Sequence, residues 1–313
     1  MHITTHGCNA DVAMNHMPLP FHPHDPSFNR ANALYLAHAS DIAYHRSPAA
    51  AARERLGLKT IAFRHKITRT RGFLGICDTH AVLAFRGTDP VTLPNWLTDI
   101  VVRLVECGEY EGRVHRGFSS VLQRSWKNVE EVLKEARGKP LFLTGHSMGG
   151  ALAVLSGCRL ATMGRHPVAT YTFGAPRCGD LTFCAGYALP TYRIVNRLDL
   201  VPEMPLASIK RLPPPKPRLA GNKTLAPLKR KPTKPAPRYG HVKTFVHIDS
   251  DGVITPDADV EPWHSHAVAR AIATRGKSFL EGITDHLISN YIRGLEGRVS
   301  KKQTGVRRRI RVG

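Results

Sequence analysis

The residues best suited to covalent chemistry lie in the pentapeptide GHSMG at positions 145–149. Residues 141–144 before it form an apolar run typical of a buried strand, and residues 151–155 after it favour a helix. A strand, a sharp turn and a helix in this order predict that Ser147 lies on a nucleophile elbow, with its hydroxyl at the carboxyl edge of a sheet. The helix N-terminus below it would stabilise negative charge on a reacting oxygen. The alternative is a tight turn in which Ser147 only caps the helix. The other residues of the predicted elbow are Gly145, His146 and Gly149.

A serine hydroxyl is a weak nucleophile until a base accepts its proton, and the base needs an acid that holds its tautomer. In enzymes with such an elbow the three residues follow in the order Ser, Asp or Glu, His. Asp199 lies just past an apolar strand pattern and is the predicted acid, with Asp180 as its competitor. The candidate bases after Asp199 are His241, His247, His264, His266 and His286. Chain order alone favours His286 and leaves His241 as the second choice.

Apolar periodicity predicts the elements that position these residues. Helices are predicted over 29–44, 118–136, 148–163, 265–274 and 279–295, and strands over 59–67, 72–76, 81–85, 140–144, 168–173, 191–195, 241–248 and 253–255. Because strands and helices alternate through the middle of the chain, we predict an α/β fold with a mainly parallel sheet covered by helices on both faces.

The chain has 313 residues and a formal net charge of +21, which would ordinarily suggest a nucleic acid or an anionic surface as partner. Residues 210–238 hold ten Lys or Arg and eight Pro without any acid, and residues 300–313 hold six more Lys or Arg. These segments carry sixteen of the positive charges, so the rest of the chain carries only +5. We therefore predict one domain over 27–299 with a basic, proline-rich insertion at 210–238, and a basic tail over 300–313. Residues 1–26 are polar and rich in His and Pro, which predicts a flexible arm.

The residue patterns give no sign of a metal or an organic cofactor. The five histidines of residues 1–26 lack metal-ligand spacing, the six cysteines include no CxxC pair, and residues 249–252 lack the further acids of an EF-hand. No apolar run reaches the ~20 residues of a membrane-spanning helix, and residues 1–26 lack the blocks of a secretory signal. We expect no cofactor, no metal, reduced cysteines, and a cytoplasmic or peripheral-membrane protein, with signal-independent export left open.

Six motifs resemble, in order, the signatures of the class 3 lipases, the α/β-hydrolase family that includes fungal triacylglycerol lipases and many bacterial and plant relatives. They are FRGT at 85–88, NWLTD at 95–99, HRGF at 115–118, GHSMGGA at 145–151, TFGAPR at 172–177 and NRLDLVP at 196–202. The resemblance implies an α/β-hydrolase fold in which Ser147 is the nucleophile, Asp199 the acid and His286 the base. It also implies an oxyanion hole formed by the amides of Thr88 and Met148, since a tetrahedral intermediate needs preset donors. The alternative for Thr88 is a local turn bond.

Two segments depart from the compact members of this family. Residues 89–104, after the oxyanion motif, are apolar and match the position of a lid helix, with Trp96, Leu97 and Ile100 as its candidate residues. A buried helix accounts for the same pattern equally well. The second departure is the long spacing between Asp199 and His286, which contains the basic insertion and affects the predicted rim of the binding site more than the triad.

These observations predict a serine hydrolase that cleaves esters of acyl lipids through an acyl-Ser147 intermediate. The expected partners are an acyl-lipid or ester substrate and, through residues 210–238, an anionic membrane, at on the order of 1 kcal/mol per well-placed Lys or Arg. A phospholipase A1 activity on anionic membranes is the second interpretation. A protein that binds phosphate polymers is a third. Neither basic segment interleaves aromatic residues and no nucleic-acid-binding motif occurs, so no nucleic acid is expected.

Overall fold

The computed structural model describes residues 18–89, 92–93, 103–205, 238–256, 260–274 and 276–297. Its helices in chain order are α1 (Arg30–Ile42), α2 (Ala49–Leu56), α3 (Arg116–Leu133), α4 (Met148–Thr162), α5 (Leu181–Gly186), α6 (Val260–Thr274), α7 (Lys277–Asp285) and α8 (Ile288–Leu295). Its strands are β1 (Lys59–Arg64), β2 (Arg71–Ile76), β3 (Ala81–Phe85), β4 (Leu104–Glu106), β5 (Arg113–His115), β6 (Leu141–His146), β7 (Ala169–Phe173), β8 (Gly179–Asp180), β9 (Thr191–Asn196), β10 (Tyr239–Gly240), β11 (Thr244–Ile248) and β12 (Ile254–Pro256).

Eight strands form the main sheet, in the order β1-β2-β3-β6-β7-β9-β11-β12. The pairs from β3 to β11 are parallel, and the pairs at the two edges are antiparallel. A smaller sheet has the order β10-β8-β5-β4. The mainly parallel sheet predicted from the alternation of elements is confirmed.

Helices cover both faces of the main sheet and bury its central strands on both sides. Along β3, Leu83 and Phe85 pack in a core with α3 and α4, whereas Val82 and Ala84 pack in a second core with α1, α2 and α8. Every residue of β3, β6 and β7 is buried. The continuous apolar sequence of β3 is typical of a strand buried on both faces.

Two expectations need correction. Residues 18–26 belong to the predicted flexible arm, yet Phe21 packs on the second core with its ring centroid 4.4 Å from that of Tyr35 and 4.8 Å from that of Phe142. The single helix predicted over 279–295 is broken, since α7 ends at Asp285 and the extended backbone of Leu287 separates it from α8. Apolar residues repeat at helical spacing on both sides of this break, so periodicity did not reveal it.

Several short elements were not predicted, namely α2, α5, β4, β5, β8 and β10. The candidate lid residues Trp96, Leu97 and Ile100 lie outside the described residues, as do most of the basic insertion and the tail. Among the helices that the structure describes, none is long and apolar enough to cross a bilayer.

Candidate active site

The predicted elbow is present between β6 and α4. Ser147 has φ 57° and ψ −133°, a backbone conformation that is uncommon outside glycine. Its amide donates to the carbonyl of Phe173 on β7 at 2.9 Å, which helps to hold this conformation. A Cβ added to Gly145 would lie 2.3 Å from the main chain of Gly149, and one added to Gly149 would lie 2.3 Å from the carbonyl oxygen of Phe85. Both positions therefore need glycine, because strand, turn and helix approach too closely for any side chain.

Asp199 and His286 meet in the interior of the protein. Asp199 follows β9 and is fully buried, and its Oδ2 accepts a hydrogen bond from His286 Nδ1 at 2.7 Å. The same oxygen accepts from the Tyr291 hydroxyl at 2.5 Å, while Oδ1 accepts from the amide of Val201 at 2.8 Å. Three donors thus satisfy a buried carboxylate that would otherwise be costly. Because Nδ1 of His286 carries its proton toward Asp199, Nε2 is left as the basic nitrogen.

Two candidate reacting atoms and one neighbouring hydroxyl are buried without partners among the described residues. Within the described residues, Ser147 Oγ, His286 Nε2 and Thr88 Oγ1 have no hydrogen-bond partner. Buried polar atoms are normally paired, so three unpaired ones near one elbow are the kind of exception that marks a functional site. The His286 ring also lies close to the elbow, with its centroid 4.4 Å from that of His146.

The segment after β3 passes directly beside the nucleophile turn. A Cβ added to Gly87 would lie 3.0 Å from Cβ of Ser147 and 2.3 Å from the carbonyl oxygen of His146. Thr88 follows Gly87, and Met148 is the first residue of α4, where a helix has backbone N–H groups without intrahelical acceptors. The two amides predicted for an oxyanion hole therefore belong to segments that contact one another.

His146 joins three parts of the site. Its Nε2 donates to the carbonyl oxygen of His286 at 2.6 Å, and its Nδ1 accepts from the Tyr44 hydroxyl at 2.7 Å. Burial and the neighbouring His286 ring disfavour the imidazolium form, which lowers the pKa of His146 well below its usual value. Sequence analysis assigned His146 only to the elbow. It missed the hydrogen bond of Tyr44 to His146 and that of Tyr291 to Asp199, because no local sequence pattern indicates them.

A second set of contacts ties the loop after β9 to the end of α7. The side-chain Nδ2 of Asn196 donates to the carbonyl oxygen of Asp285 at 2.9 Å, and the backbone amide of Leu198 donates to the Asp285 carboxylate at 3.2 Å. Burial raises the pKa of Asp285 to about 6. These bonds fix the distance between Asp199 and His286 across a long stretch of sequence.

The competing candidates have other partners. Asp180 caps α5 by accepting from the amide of Phe183 at 3.0 Å, and it pairs with Arg113 at 3.0 Å. His241 is half-buried and donates to the carbonyl oxygen of Pro202 at 2.7 Å. Of the five candidate histidines, His286 is the one whose ring nitrogen bonds Asp199. In the part of the chain that the structure describes, no group of three or more His, Cys, Asp or Glu side chains is arranged to hold a metal ion.

Comparisons with known proteins find lipases among the relatives of this chain. Residues 82–209 match the family model described as Lipase (class 3). The lipase of Rhizomucor miehei is 34% identical over 169 residues, which cover 46% of this chain and 45% of that one. Triacylglycerol lipase OBL1 of Ricinus communis is 28% identical over 187 residues, which cover 41% of this chain and 35% of that one. The match thus spans less than half the length of both relatives. The crystal structure of the lipase from Rhizopus microsporus var. chinensis superposes with a TM-score of 0.50 at 26% identity, covering 65% of this chain and 79% of that one. The fold is therefore the predicted α/β-hydrolase fold.

Proposed function

We propose that this chain, a member of the class 3 lipase family through residues 82–209, is a serine hydrolase that cleaves the esters of acyl lipids. One observation carries the proposal. A buried Asp199–His286 pair lies beside a strained elbow on which Ser147 Oγ, like His286 Nε2, is buried and unpartnered among the described residues. Acyl transfer needs a serine hydroxyl and an imidazole nitrogen that are free to react, and Asp199 holds the imidazole that would accept the proton.

The residues take the following parts in the proposed reaction. Ser147 Oγ attacks the ester carbonyl carbon while His286 Nε2 accepts the hydroxyl proton. Asp199 keeps the imidazole in the required tautomer and stabilises its positive charge. The amides of Thr88 and Met148 donate to the negative oxygen of the tetrahedral intermediate. His286 then gives its proton to the departing alcohol, and water, deprotonated by the same nitrogen, releases the acid from the acyl-Ser147 intermediate.

Acylglycerols are the substrate class that we propose first. The support comes from the relatives, because the Ricinus communis protein is named a triacylglycerol lipase and another match, from Penicillium camembertii, is named a mono- and diacylglycerol lipase. Each of these two matches covers less than half of the relative's length, so the substrate class is inferred from sequence similarity alone. Phospholipid esters are the second candidate, because a cluster of arginines lies near the elbow.

The test compares wild type with Ser147→Ala on p-nitrophenyl esters of two to sixteen carbons, and then on acylglycerol emulsions. Wild type should hydrolyse the esters. Ser147→Ala, which removes one oxygen atom, should lose several orders of magnitude in kcat with an unchanged circular dichroism spectrum. Near-normal turnover by folded Ser147→Ala would overturn the mechanism. Absence of turnover by wild type on every ester would overturn the proposed activity.

We further propose that residues 210–238 attach the protein peripherally to anionic membranes, with the cytoplasm as its other location. The support is chemical: ten cationic side chains without an acid attract an anionic bilayer within about one Debye length, ~8 Å at physiological salt. Replacing residues 210–238 by a short Gly/Ser bridge should weaken binding to anionic vesicles, and the difference should shrink as salt rises. Equal binding of both proteins to anionic vesicles would contradict this role, and loss of soluble-ester hydrolysis would show that the segment shapes the active site instead.

A further inference from the structure

Near the elbow lies a cleft of about 770 Å³ that is lined by several arginine side chains. We call it the arginine cleft. The arginines that line it are Arg46, Arg64, Arg71 and Arg86. Tyr44 and His45, from the segment after α1, form part of its wall, and Asp89 is the one acid in its lining among the described residues. An opening of this size accommodates a lipid headgroup or a similar polar molecule.

Strand register brings the charges together. Arg64 ends β1 and lies directly opposite Arg71, which begins β2, in an antiparallel pair. The carbonyl oxygen of Arg71 accepts from the amide of Arg86, which follows β3, at 2.9 Å. Three adjacent strands thus place an arginine at the same edge of the sheet. Like charges directly opposite each other across strands destabilise a sheet, so the arrangement carries a cost that something else must offset.

Among the described residues, one ion pair offsets part of this charge. Asp89 pairs with Arg86 at 3.1 Å, but in the described parts of the chain Arg46, Arg64 and Arg71 form no ion pair. Nε of Arg71 and Nε of Arg86 are buried without a hydrogen-bond partner there. Burial and the charges of the other cleft arginines lower the pKa of Arg71. A bound anion would supply both the missing acceptors and the missing negative charge.

Two residues of the cleft wall, Arg86 and Tyr44, lie next to the elbow. β3 and β6 are parallel neighbours in which Phe85 lies opposite Gly145, so Arg86 and Ser147 leave the sheet at the same edge. Gly87 follows Arg86, and a Cβ added there would lie 3.0 Å from Cβ of Ser147. The Arg86 guanidinium lies 5.5 Å from the ring centroid of Tyr44, whose hydroxyl bonds His146 of the elbow. Arg86, through Gly87, and Tyr44, through His146, therefore connect the arginine cleft to the elbow that carries Ser147.

We propose that the arginine cleft binds the phosphate group of an acyl glycerophospholipid while one of its esters lies at Ser147, an assignment that rests on the proposed ester hydrolysis. The glycerol backbone alone separates the phosphate of such a lipid from its ester carbonyls, which matches a cation site adjacent to the nucleophile. Guanidinium groups suit this ligand because their planar N–H pairs match the oxygens of a phosphate. Neutral acylglycerols have no anionic group that would pair with these arginines.

The kinetic test measures kcat/KM on phosphatidylglycerol and on diacylglycerol with the same acyl chains, each at low mole fraction in neutral detergent micelles. The cleft variant is Arg46→Gln/Arg64→Gln, in which both side chains are exposed. The control variant is Arg53→Gln/Arg124→Gln, which removes the same charge from exposed positions on α2 and α3. The ratio of phosphatidylglycerol to diacylglycerol activity should fall about tenfold or more in the cleft variant, as expected for lost charged hydrogen bonds. The control should keep the wild-type ratio.

A binding test separates a lipid headgroup from a free anion. Calorimetry would measure sn-glycerol 3-phosphate, with glycerol as reference, binding to Ser147→Ala and to the same protein with Arg46→Gln/Arg64→Gln. Binding that the cleft substitutions weaken, together with the fall in the activity ratio, supports the proposal. An unchanged activity ratio overturns it, and weakened glycerol phosphate binding in that case assigns the cleft to a free anion. If wild type hydrolyses no ester, the proposed function fails, and the binding result alone decides whether the cleft takes phosphate.

Discussion

Alanine at position 174 should disrupt the Asp199–His286 pair without touching any reacting atom. Gly174 follows β7 with φ +58°, and a Cβ there would lie 2.5 Å from Asp199 Oδ2 and 2.8 Å from His286 Nδ1. The added methyl group therefore meets both ends of the hydrogen bond that holds the imidazole. The first contact falls about 0.9 Å short of the 3.4 Å at which ordinary van der Waals contact begins. The carboxylate, the ring or both must move by a distance of that order.

Two effects contribute, and they act on different quantities. A positive φ costs an ordinary residue roughly 1–2 kcal/mol, which should lower the free energy of unfolding of Gly174→Ala. The displacement acts on the rate, because a misplacement of about 1 Å in a catalytic group costs on the order of 100-fold. We therefore expect kcat on a soluble p-nitrophenyl ester to fall by about two orders of magnitude, with a smaller change in KM.

Gly164 provides the matched control. Its φ is +73° and a Cβ there meets nothing within 4 Å, so Gly164→Ala carries the backbone cost without the steric one. Urea unfolding of both variants should show similar losses of stability, whereas only Gly174→Ala should lose activity. If folded Gly174→Ala hydrolyses the ester within about twofold of Gly164→Ala, the Asp199–His286 contact does not control the reaction and this reasoning is refuted.

Three further results are expected. Tyr291→Phe removes a hydrogen-bond donor to the buried Asp199 carboxylate, so the free energy of unfolding should fall by about 1.5–3 kcal/mol and kcat should change more than KM. Unchanged stability in urea would show that the Tyr291–Asp199 hydrogen bond is not formed. Burial raises the pKa of Asp285 from 3.8 to about 6, so ionisation of this carboxyl opposes folding. The free energy of unfolding of wild type should therefore decline relative to that of Asp285→Asn as pH rises from about 4 to above 6. A constant difference in unfolding free energy between the two proteins across that range would contradict the raised pKa. His286→Ala should match the defect of Ser147→Ala while His241→Ala should not, and collapse of activity in His241→Ala alone would overturn the assignment of the base.

The positions of Ser147 and Asp199 in the fold were predictable because their signals are local. Ser147 lies in a short motif between a strand and a helix, and Asp199 lies just past an apolar strand, so each position follows from neighbouring residues. His286 is different. Chain order left His241 open, and only the resemblance to a known family narrowed the choice. Its place at the break between α7 and α8 was not predictable, because the apolar repeat continues across the break.

The contacts that hold the site together could not be predicted from the sequence, because they join residues that are far apart in the chain. The hydroxyls of Tyr44 and Tyr291 bond residues about a hundred positions away. The arginine cleft depends on the register of β1 against β2, which pairs Arg64 with Arg71. A shift of one residue would separate these charges, and apolar patterning alone did not fix that register.

Covalent labelling tests the central claim most directly. Wild type would be treated with a fluorophosphonate, which reacts with activated serines, digested, and mapped by mass spectrometry. The adduct should appear on Ser147, be absent from Ser147→Ala, and form far more slowly in His286→Ala. An adduct on another residue, or rapid ester hydrolysis by a folded protein that takes up no label at Ser147, would contradict the account.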